Sequence, residues 1–143
     1  MVWKLGVGST TPTEISDPNW RQILDALHLL DGGKSLDLLS LILSGKGTLI
    51  AGGGDNGRYM VIYFPVDHPD TPSLTMTDAR LAVSPVYLTI QTFDEHEARH
   101  AVMLSLVVQV FEDFFQTGNI PKDVHWEIDD TGEEASDSLL LKY

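Results

Sequence analysis

The residues best suited to chemistry form the pentapeptide His96-Glu97-Ala98-Arg99-His100, which is an H-E-x-x-H sequence. On a helix, two histidines four positions apart share one face and can bind one Zn²⁺, while the glutamate activates the bound water. The enzymatic hypothesis is therefore a small zinc metallopeptidase with His96 and His100 as ligands and Glu97 as the general base.

The surrounding sequence weighs against such a zinc site. Arg99 places a charge inside the motif, and no glycine and third histidine follow at the spacing of the extended motif. Glu112, His125 and Glu127 have nothing to single them out as a third ligand. Residues 97–104 also fit an extended strand, in which positions four apart are separated by about 13 Å, too far to share one ion. We therefore expect the match to be fortuitous, with no metal, no cofactor and no catalytic residues.

Two glycine-rich stretches, residues 44–48 and 52–54, are the other candidates for ligand chemistry. Neither contains the G-x-x-x-x-G-K-[ST] sequence of a phosphate-binding loop, so both are interpreted as turns. No serine has a nucleophile-elbow sequence with an identifiable partner histidine, and the chain contains no cysteine. A small-ligand or regulatory module remains a third hypothesis, which a deep apolar pocket would favour.

A helix, a turn and a closing strand follow the H-E-x-x-H motif. Six apolar residues recur at helical spacing: Leu104, Val107, Val108, Phe111, Phe114 and Phe115. Gly118 suits the left-handed conformation that ends many helices, and Pro121 prevents the helix from resuming. Val124, Trp126 and Ile128 then alternate with polar residues, which predicts a strand with one face inward.

The N-terminal third predicts a strand followed by a helix. Residues 2–7 have the alternation of a short strand, and residues 10–13 a loop. Ser16 or Asp17 can cap a helix whose first position is Pro18, because proline lacks the N–H that is unsatisfied there. The apolar stripe of this helix comprises Trp20, Ile23, Leu24, Leu27 and Leu30.

Hairpin signals dominate the middle of the chain. Residues 36–43 and 48–51 flank the Ser44-Gly45-Lys46-Gly47 turn, and Asp55-Asn56-Gly57 is a turn sequence before the aromatic and β-branched strand at residues 58–64. These signals predict an α+β fold, with a mostly antiparallel sheet of about five or six strands and two main helices packed on one face. We expect one domain over residues 1–128 and an acidic, mobile tail over residues 129–143.

The composition limits the class of partner. The chain of 143 residues has 21 acidic residues against 9 Lys and Arg, which gives a net charge of −12. This charge repels phosphate backbones and anionic lipids, so neither nucleic acid nor a membrane is expected as a direct partner. It suits either a basic protein partner or simple solubility. No targeting signal and no run of about eighteen apolar residues is evident, which predicts a soluble, untargeted protein.

The segment Phe111 to Trp126, FEDFFQTGNIPKDVHW, resembles the C-terminal signature of the first-numbered family of immunity proteins from bacterial polymorphic toxin systems. The matching positions are Phe115, Thr117, Gly118, Pro121, Val124 and Trp126. The resemblance implies a cytoplasmic, non-enzymatic protein that binds and blocks a cognate toxin.

The acidic composition is compatible with a basic nuclease domain as that toxin. The candidate interface residues are the acidic side chains of Asp94, Glu95, Asp129 and Glu133. The oligomeric state is not predicted by the sequence.

Overall fold

The computed structural model describes residues 2–9, 11–65, 73–77, 85–90, 92–97 and 100–128, with the backbone alone for residues 85–86, 92–95 and 97. Within these ranges the chain forms nine strands and two α-helices. They are β1 (Trp3–Val7), β2 (Thr13–Ser16), α1 (Trp20–Leu29), β3 (Leu38–Leu43), β4 (Gly47–Gly53), β5 (Tyr59–Pro65), β6 (Leu74–Thr77), β7 (Pro85–Ile90), β8 (Thr92–Glu97), α2 (Leu104–Thr117) and β9 (His125–Ile128). None of the helices in these ranges is long and apolar enough to cross a bilayer.

Seven of these strands form one sheet in the order β2-β1-β3-β4-β5-β6-β9, and each neighbouring pair is antiparallel. The remaining two, β7 and β8, form a separate antiparallel hairpin. The predicted α+β class is confirmed, and so are the hairpins that join β3 to β4 and β4 to β5. The large sheet has more strands than the five or six expected.

Both helices pack against one face of the large sheet and form the main core with it. This core contains Leu5, Leu39, Leu41, Leu49 and Val61 from the strands, and Ile23, Leu27, Val107, Val110, Phe111 and Phe114 from the helices. Trp3 joins the two layers, because its ring contacts Phe114 edge-on with centroids 5.2 Å apart. On the same side, Trp20 of α1 stacks on Phe115 of α2 at 6.3 Å. The aromatic contacts thereby connect both helices to the sheet.

The opposite face of the large sheet is also apolar, and β7 lies against part of it. Leu38, Ile50 and Ile62 share this face and are almost fully buried, as is Leu88 of β7. An ideal Cβ at Gly52 would lie 2.8 Å from Ile90 Cγ2, so β7 approaches the β4 backbone directly. Burial on both faces explains the nearly continuous leucine run of β3, which does not show the strict alternation of a half-buried strand.

The predicted start of the first helix is wrong. Ser16 belongs to β2, which pairs with β1, and Asp17 has a left-handed φ of 50°. The N-cap is Asn19, whose Oδ1 accepts from Gln22 N at 2.9 Å while Gln22 Oε1 accepts from Asn19 N at 2.9 Å. This reciprocal capping box places the first helical residue at Trp20. The predicted loop at residues 10–13 correspondingly ends where β2 begins, at Thr13.

The C-terminal helix, its glycine and the closing strand are present as predicted. Gly118 has a φ of 77°, and its N–H donates to Phe114 O at 2.8 Å. In β9, Trp126 is half-buried, but Ile128 is 57% exposed, so its predicted inward position is wrong. The reason is that β9 is the edge strand and pairs only with β6 among the described strands.

The strand pattern that residues 97–104 also fit is not realised over residues 100–104. β8 ends at Glu97 and α2 begins at Leu104, while Ala98 and Arg99 lie outside the described residues. Val102 forms only a single bridge, in which its N–H donates to Tyr59 O at 2.7 Å and its carbonyl accepts from Tyr59 N at 2.9 Å. This bridge connects the start of α2 to β5 across the core.

We expect Phe114→Ala to lower the free energy of unfolding by about 3–5 kcal/mol, because it removes a fully buried ring from between Trp3 and Tyr63. Urea denaturation followed by circular dichroism measures this loss. Gln116→Ala, at an exposed position of the same helix, is the matched control and should change stability by less than about 0.5 kcal/mol. Equal effects of the two substitutions would contradict this packing.

Candidate functional site

A cleft of about 640 Å³ lies where the end of α1, the β4–β5 loop and β7 meet. It is called here the Asp31–Asp55 cleft, and its lining comprises Asp31, Gly32, Lys34, Asp55, Asn56, Arg58 and Tyr87. The lining carries two acids, two bases, an amide and a phenol. Three segments that are distant in the sequence thus contribute polar groups to one concave surface.

The first wall of the cleft is the loop that follows α1. Asp31 Oδ1 accepts from Ser35 N at 2.8 Å and from Leu36 N at 3.3 Å, which closes the loop on itself. Asp31 N and Gly33 N both donate to Leu36 O at 3.2 Å. The loop backbone is therefore held by its own hydrogen bonds, and the Asp31 carboxylate has a fixed position at the cleft.

The second wall of the cleft is the β4–β5 loop, and glycine residues form its contact with the first wall. Gly54 has a φ of 102°, and a Cβ there would lie 2.6 Å from Leu30 O. Gly32 N donates to Gly53 O at 2.8 Å, and a Cβ on Gly32 would lie 2.7 Å from Asp55 Oδ2. Any side chain at Gly32 or Gly54 would push the two loops apart. Both residues have a positive φ, and both lie too close to the other loop to carry a Cβ.

Asp55 connects the β4–β5 loop to the third wall, β7. Its Oδ1 accepts from Thr89 N at 2.6 Å, and its Oδ2 accepts from Thr89 Oγ1 at 2.8 Å. Both bonds are charge-assisted and partly buried, which makes them stronger than ordinary surface hydrogen bonds. Asn56, with a φ of 54°, and Gly57, with a φ of 71°, complete the turn in the left-handed conformations that the Asp-Asn-Gly sequence predicts.

Hydrogen bonding and burial shift two pKa values beside the cleft. The pKa of Asp31 lies below its usual value of 3.8, chiefly because the backbone N–H of Ser35 donates to the carboxylate, with partial desolvation opposing. The pKa of Tyr59 lies above its usual value of 10, first because the ring is buried and second because the Asp31 charge disfavours the phenolate. Asp31 is thus anionic and Tyr59 neutral near pH 7.

The cleft also contains two cations and an aromatic ring. Within the described ranges, neither Lys34 nor Arg58 forms an ion pair. Tyr87 is 51% exposed and is among the most exposed large hydrophobic residues of these ranges. The cleft therefore offers two cations and an aromatic ring on a backbone framework that is already fixed.

Two of the four acidic residues predicted for an interface lie in the hairpin beside this cleft. The β7–β8 register places Glu95 opposite Tyr87 and Asp94 opposite Leu88. The other two, Asp129 and Glu133, lie outside the described residues. The structure therefore brings the backbone of Glu95 to the cleft, by way of Tyr87.

The H-E-x-x-H residues do not lie on one helix. His96 belongs to β8 and pairs with Val86, whereas His100 follows that strand and its Nε2–H donates to Glu127 Oε2 of β9. In the part of the chain that the structure describes, no three His, Asp or Glu side chains are grouped so that they could hold a metal ion. His100 and Glu127 form a partly buried pair that connects the start of α2 to the edge strand.

Comparison with known proteins adds no assignment. No protein-family model matches the chain. No curated protein matches it significantly either.

Sequence reasoning missed most of the Asp31–Asp55 cleft. It identified residues 52–54 and Asp55-Asn56-Gly57 as turns, but neither pattern indicates that this loop touches the end of α1. The available signal was the presence of two glycine clusters, each followed by charged residues. Nothing local connects them to Tyr87, because contact between the two loops and β7 is a tertiary property.

We expect Asp55→Ala to lower the free energy of unfolding by about 2–3 kcal/mol, because it leaves the N–H and hydroxyl of Thr89 without their acceptor. Thr89→Val removes the hydroxyl bond alone and should cost about 1 kcal/mol. The double variant should lose less stability than the sum of the two single losses, since both substitutions remove the same hydrogen bond, from Thr89 Oγ1 to Asp55 Oδ2. Chemical denaturation of the four proteins measures this coupling.

The matched control for this cycle is Asp25→Ala, which removes an exposed carboxylate paired only with Arg21 and should cost less than about 1 kcal/mol. Strict additivity of Asp55→Ala and Thr89→Val would contradict the proposed connection between the loop and the hairpin.

We expect protonation of the Asp31 carboxylate to contribute to the loss of protein stability in acid. Because its folded pKa lies below 3.8, its contribution is present above that pH and is lost as the pH falls through the folded pKa. Asp31→Asn should therefore be less stable than the wild type near neutral pH, and the difference should narrow below pH 3.8. Thermal unfolding across this pH range measures it; a pH-independent difference would contradict this role of the charge.

Proposed function

We propose that this protein is a non-enzymatic immunity protein that neutralises a cognate bacterial toxin by direct binding, with the Asp31–Asp55 cleft as part of the docking surface. The observation that carries the proposal is the position of Tyr87, half exposed at a cleft whose lining carries both acids and bases, Asp31 and Asp55 with Lys34 and Arg58. Tyrosine and arginine are the residue types enriched at the energetic centres of protein interfaces.

The rigidity of the cleft supports a binding role. The glycine contacts and the bonds of Asp55 to Thr89 hold all three walls before any partner arrives. A surface that is already ordered loses less conformational entropy on association, which favours affinity. The polar groups around Tyr87 can also supply the rim of hydrogen bonds that surrounds a buried aromatic anchor.

The charge of the chain supports a basic partner. A net charge of −12 attracts a basic toxin domain over long range and raises the association rate. A nuclease domain has this property, because it must bind the phosphates of its substrate. Asp94 and Glu95 in β8 would contribute to this attraction, and the register places Glu95 opposite Tyr87.

The resemblance of residues 111–126 to the first-numbered immunity family supports the class of partner. In this chain that segment comprises the second half of α2, the left-handed Gly118, Pro121 and part of β9, including the half-buried Trp126. Its contribution is architectural, since it carries the chain from the helix layer to the edge of the sheet. The surface that meets the toxin is proposed from the cleft and not from the resemblance.

Toxin binding is tested with the product of a neighbouring gene that encodes a large toxin with a variable C-terminal domain. We expect co-expression of the full chain to restore growth of cells that produce that toxin domain, and the two proteins to co-purify. Tyr87→Ala and Arg58→Ala should each weaken the affinity by about tenfold or more, as measured by calorimetry.

Arg21→Ala is the matched control, because Arg21 is an exposed cation on α1 outside the cleft, and it should leave the affinity unchanged. Thermal unfolding of each variant checks that the fold persists. Equal losses for Arg21→Ala and Arg58→Ala would exclude the cleft as the docking surface. Stoichiometric zinc in the purified protein, lost on His100→Ala, would instead favour the metallopeptidase.

A further inference from the structure

A second cleft, of about 530 Å³, lies where the β3–β4 turn meets the segment between α2 and β9. It is called here the lysine cleft, and it is lined by Lys46, Tyr63, Asn119, Ile120, Pro121, Lys122 and Trp126. In the part of the chain that the structure describes, two lysines and no acidic residue line it. A strongly acidic protein thus has a concave surface whose lining is cationic, which selects for an anion.

Lys46 is held in place at this cleft. Its Nζ donates to Asn119 Oδ1 at 2.5 Å, while Asn119 N donates to Thr117 Oγ1 at 3.1 Å. At the other end of the residue, Tyr63 Oη donates to Lys46 O at 3.4 Å. Among the described residues, Asn119 accepts one of the three N–H groups of the ammonium, which leaves the other two for a ligand.

The walls of the lysine cleft are aromatic and aliphatic. Trp126 Nε1–H donates to Pro121 O at 3.0 Å, so the polar atom of the indole is already satisfied and its ring presents an apolar surface. Tyr63 is buried and fixed against Phe114, with ring centroids 5.7 Å apart. Ile120 adds further apolar surface to the lining.

We propose that the lysine cleft binds a small carboxylate that carries a flat apolar group, the class of the aromatic carboxylic acids. The carboxylate meets the ammonium groups of Lys46 and Lys122, and the ring packs on Trp126. The volume lies within the range of small-molecule sites. This site is independent of the proposed toxin binding, because no residue that the structure describes lines both clefts.

The chemistry of the lining disfavours two other ligand classes. A neutral aromatic compound would leave both ammonium groups without a counter-charge, and inorganic phosphate would leave the indole surface uncovered. The combination of cations with an apolar ring therefore selects a ligand that has both parts. A lysine can bind a carboxylate whose position differs from one ligand to another, because the ammonium is a compact charge with rotatable donors.

Titration of the isotope-labelled full chain with benzoate tests this proposal, with nuclear magnetic resonance signals of the Trp126 indole N–H and the Asn119 amide as readouts. We expect a saturable shift with a dissociation constant on the order of 1 mM, which is typical of so small a ligand. Benzamide is neutral and inorganic phosphate has no ring. Each should therefore bind at least about tenfold more weakly than benzoate.

Variants locate the binding. Lys46→Gln and Lys122→Gln should each weaken benzoate binding by about three- to tenfold, and Asn119→Ala should weaken it less because it only releases Lys46. Lys34→Gln, in the other cleft, is the matched control and should have no effect. Retained dispersion of the remaining amide signals shows that each variant is folded. Equal binding of benzoate and benzamide, or an equal loss with Lys34→Gln, would overturn the proposal.

Discussion

The contact between Gly54 and the end of α1 is the constraint on which the Asp31–Asp55 cleft depends. Only glycine allows the β4–β5 loop to come this close to the backbone of Leu30, because a Cβ there would lie 2.6 Å from the Leu30 carbonyl oxygen. The hydrogen bond from Gly32 N to Gly53 O then fixes the two loops together. The cleft walls, their charges and the position of Asp55 all follow from this approach.

From that position Asp55 also determines how the second face of the large sheet is covered. Its two bonds to Thr89 hold β7 against β4, where Ile90 packs on Gly52 and Leu88 is fully buried. One carboxylate therefore contributes both to the stability of the hairpin and to the shape of the cleft. A polar group that is satisfied by a neighbouring element specifies the position of that element more sharply than apolar contacts alone.

The two clefts differ in charge, and this difference separates their proposed roles. The Asp31–Asp55 cleft has as many acids as bases among its lining residues, which suits a protein partner with both kinds of charge. Among the described residues that line the lysine cleft, the charged ones are both lysines, on a chain whose net charge is −12. A basic macromolecule would be repelled from the lysine cleft and attracted to the rest of the surface, so the two sites can be occupied independently.

The sequence by itself determined the features that depend on neighbouring residues: the helical spacing of residues 104–115, the left-handed Gly118, and the Asp-Asn-Gly turn before β5. Only the tertiary structure decided the rest, because the competing local signals were nearly equal. Asn19 is the N-cap since Ser16 pairs with β1, and His96 is in a strand since β8 pairs with β7. Ile128 is exposed because β9 is at the sheet edge. The two clefts join residues more than twenty positions apart in the chain, and no periodicity or turn chemistry records which distant segments will meet.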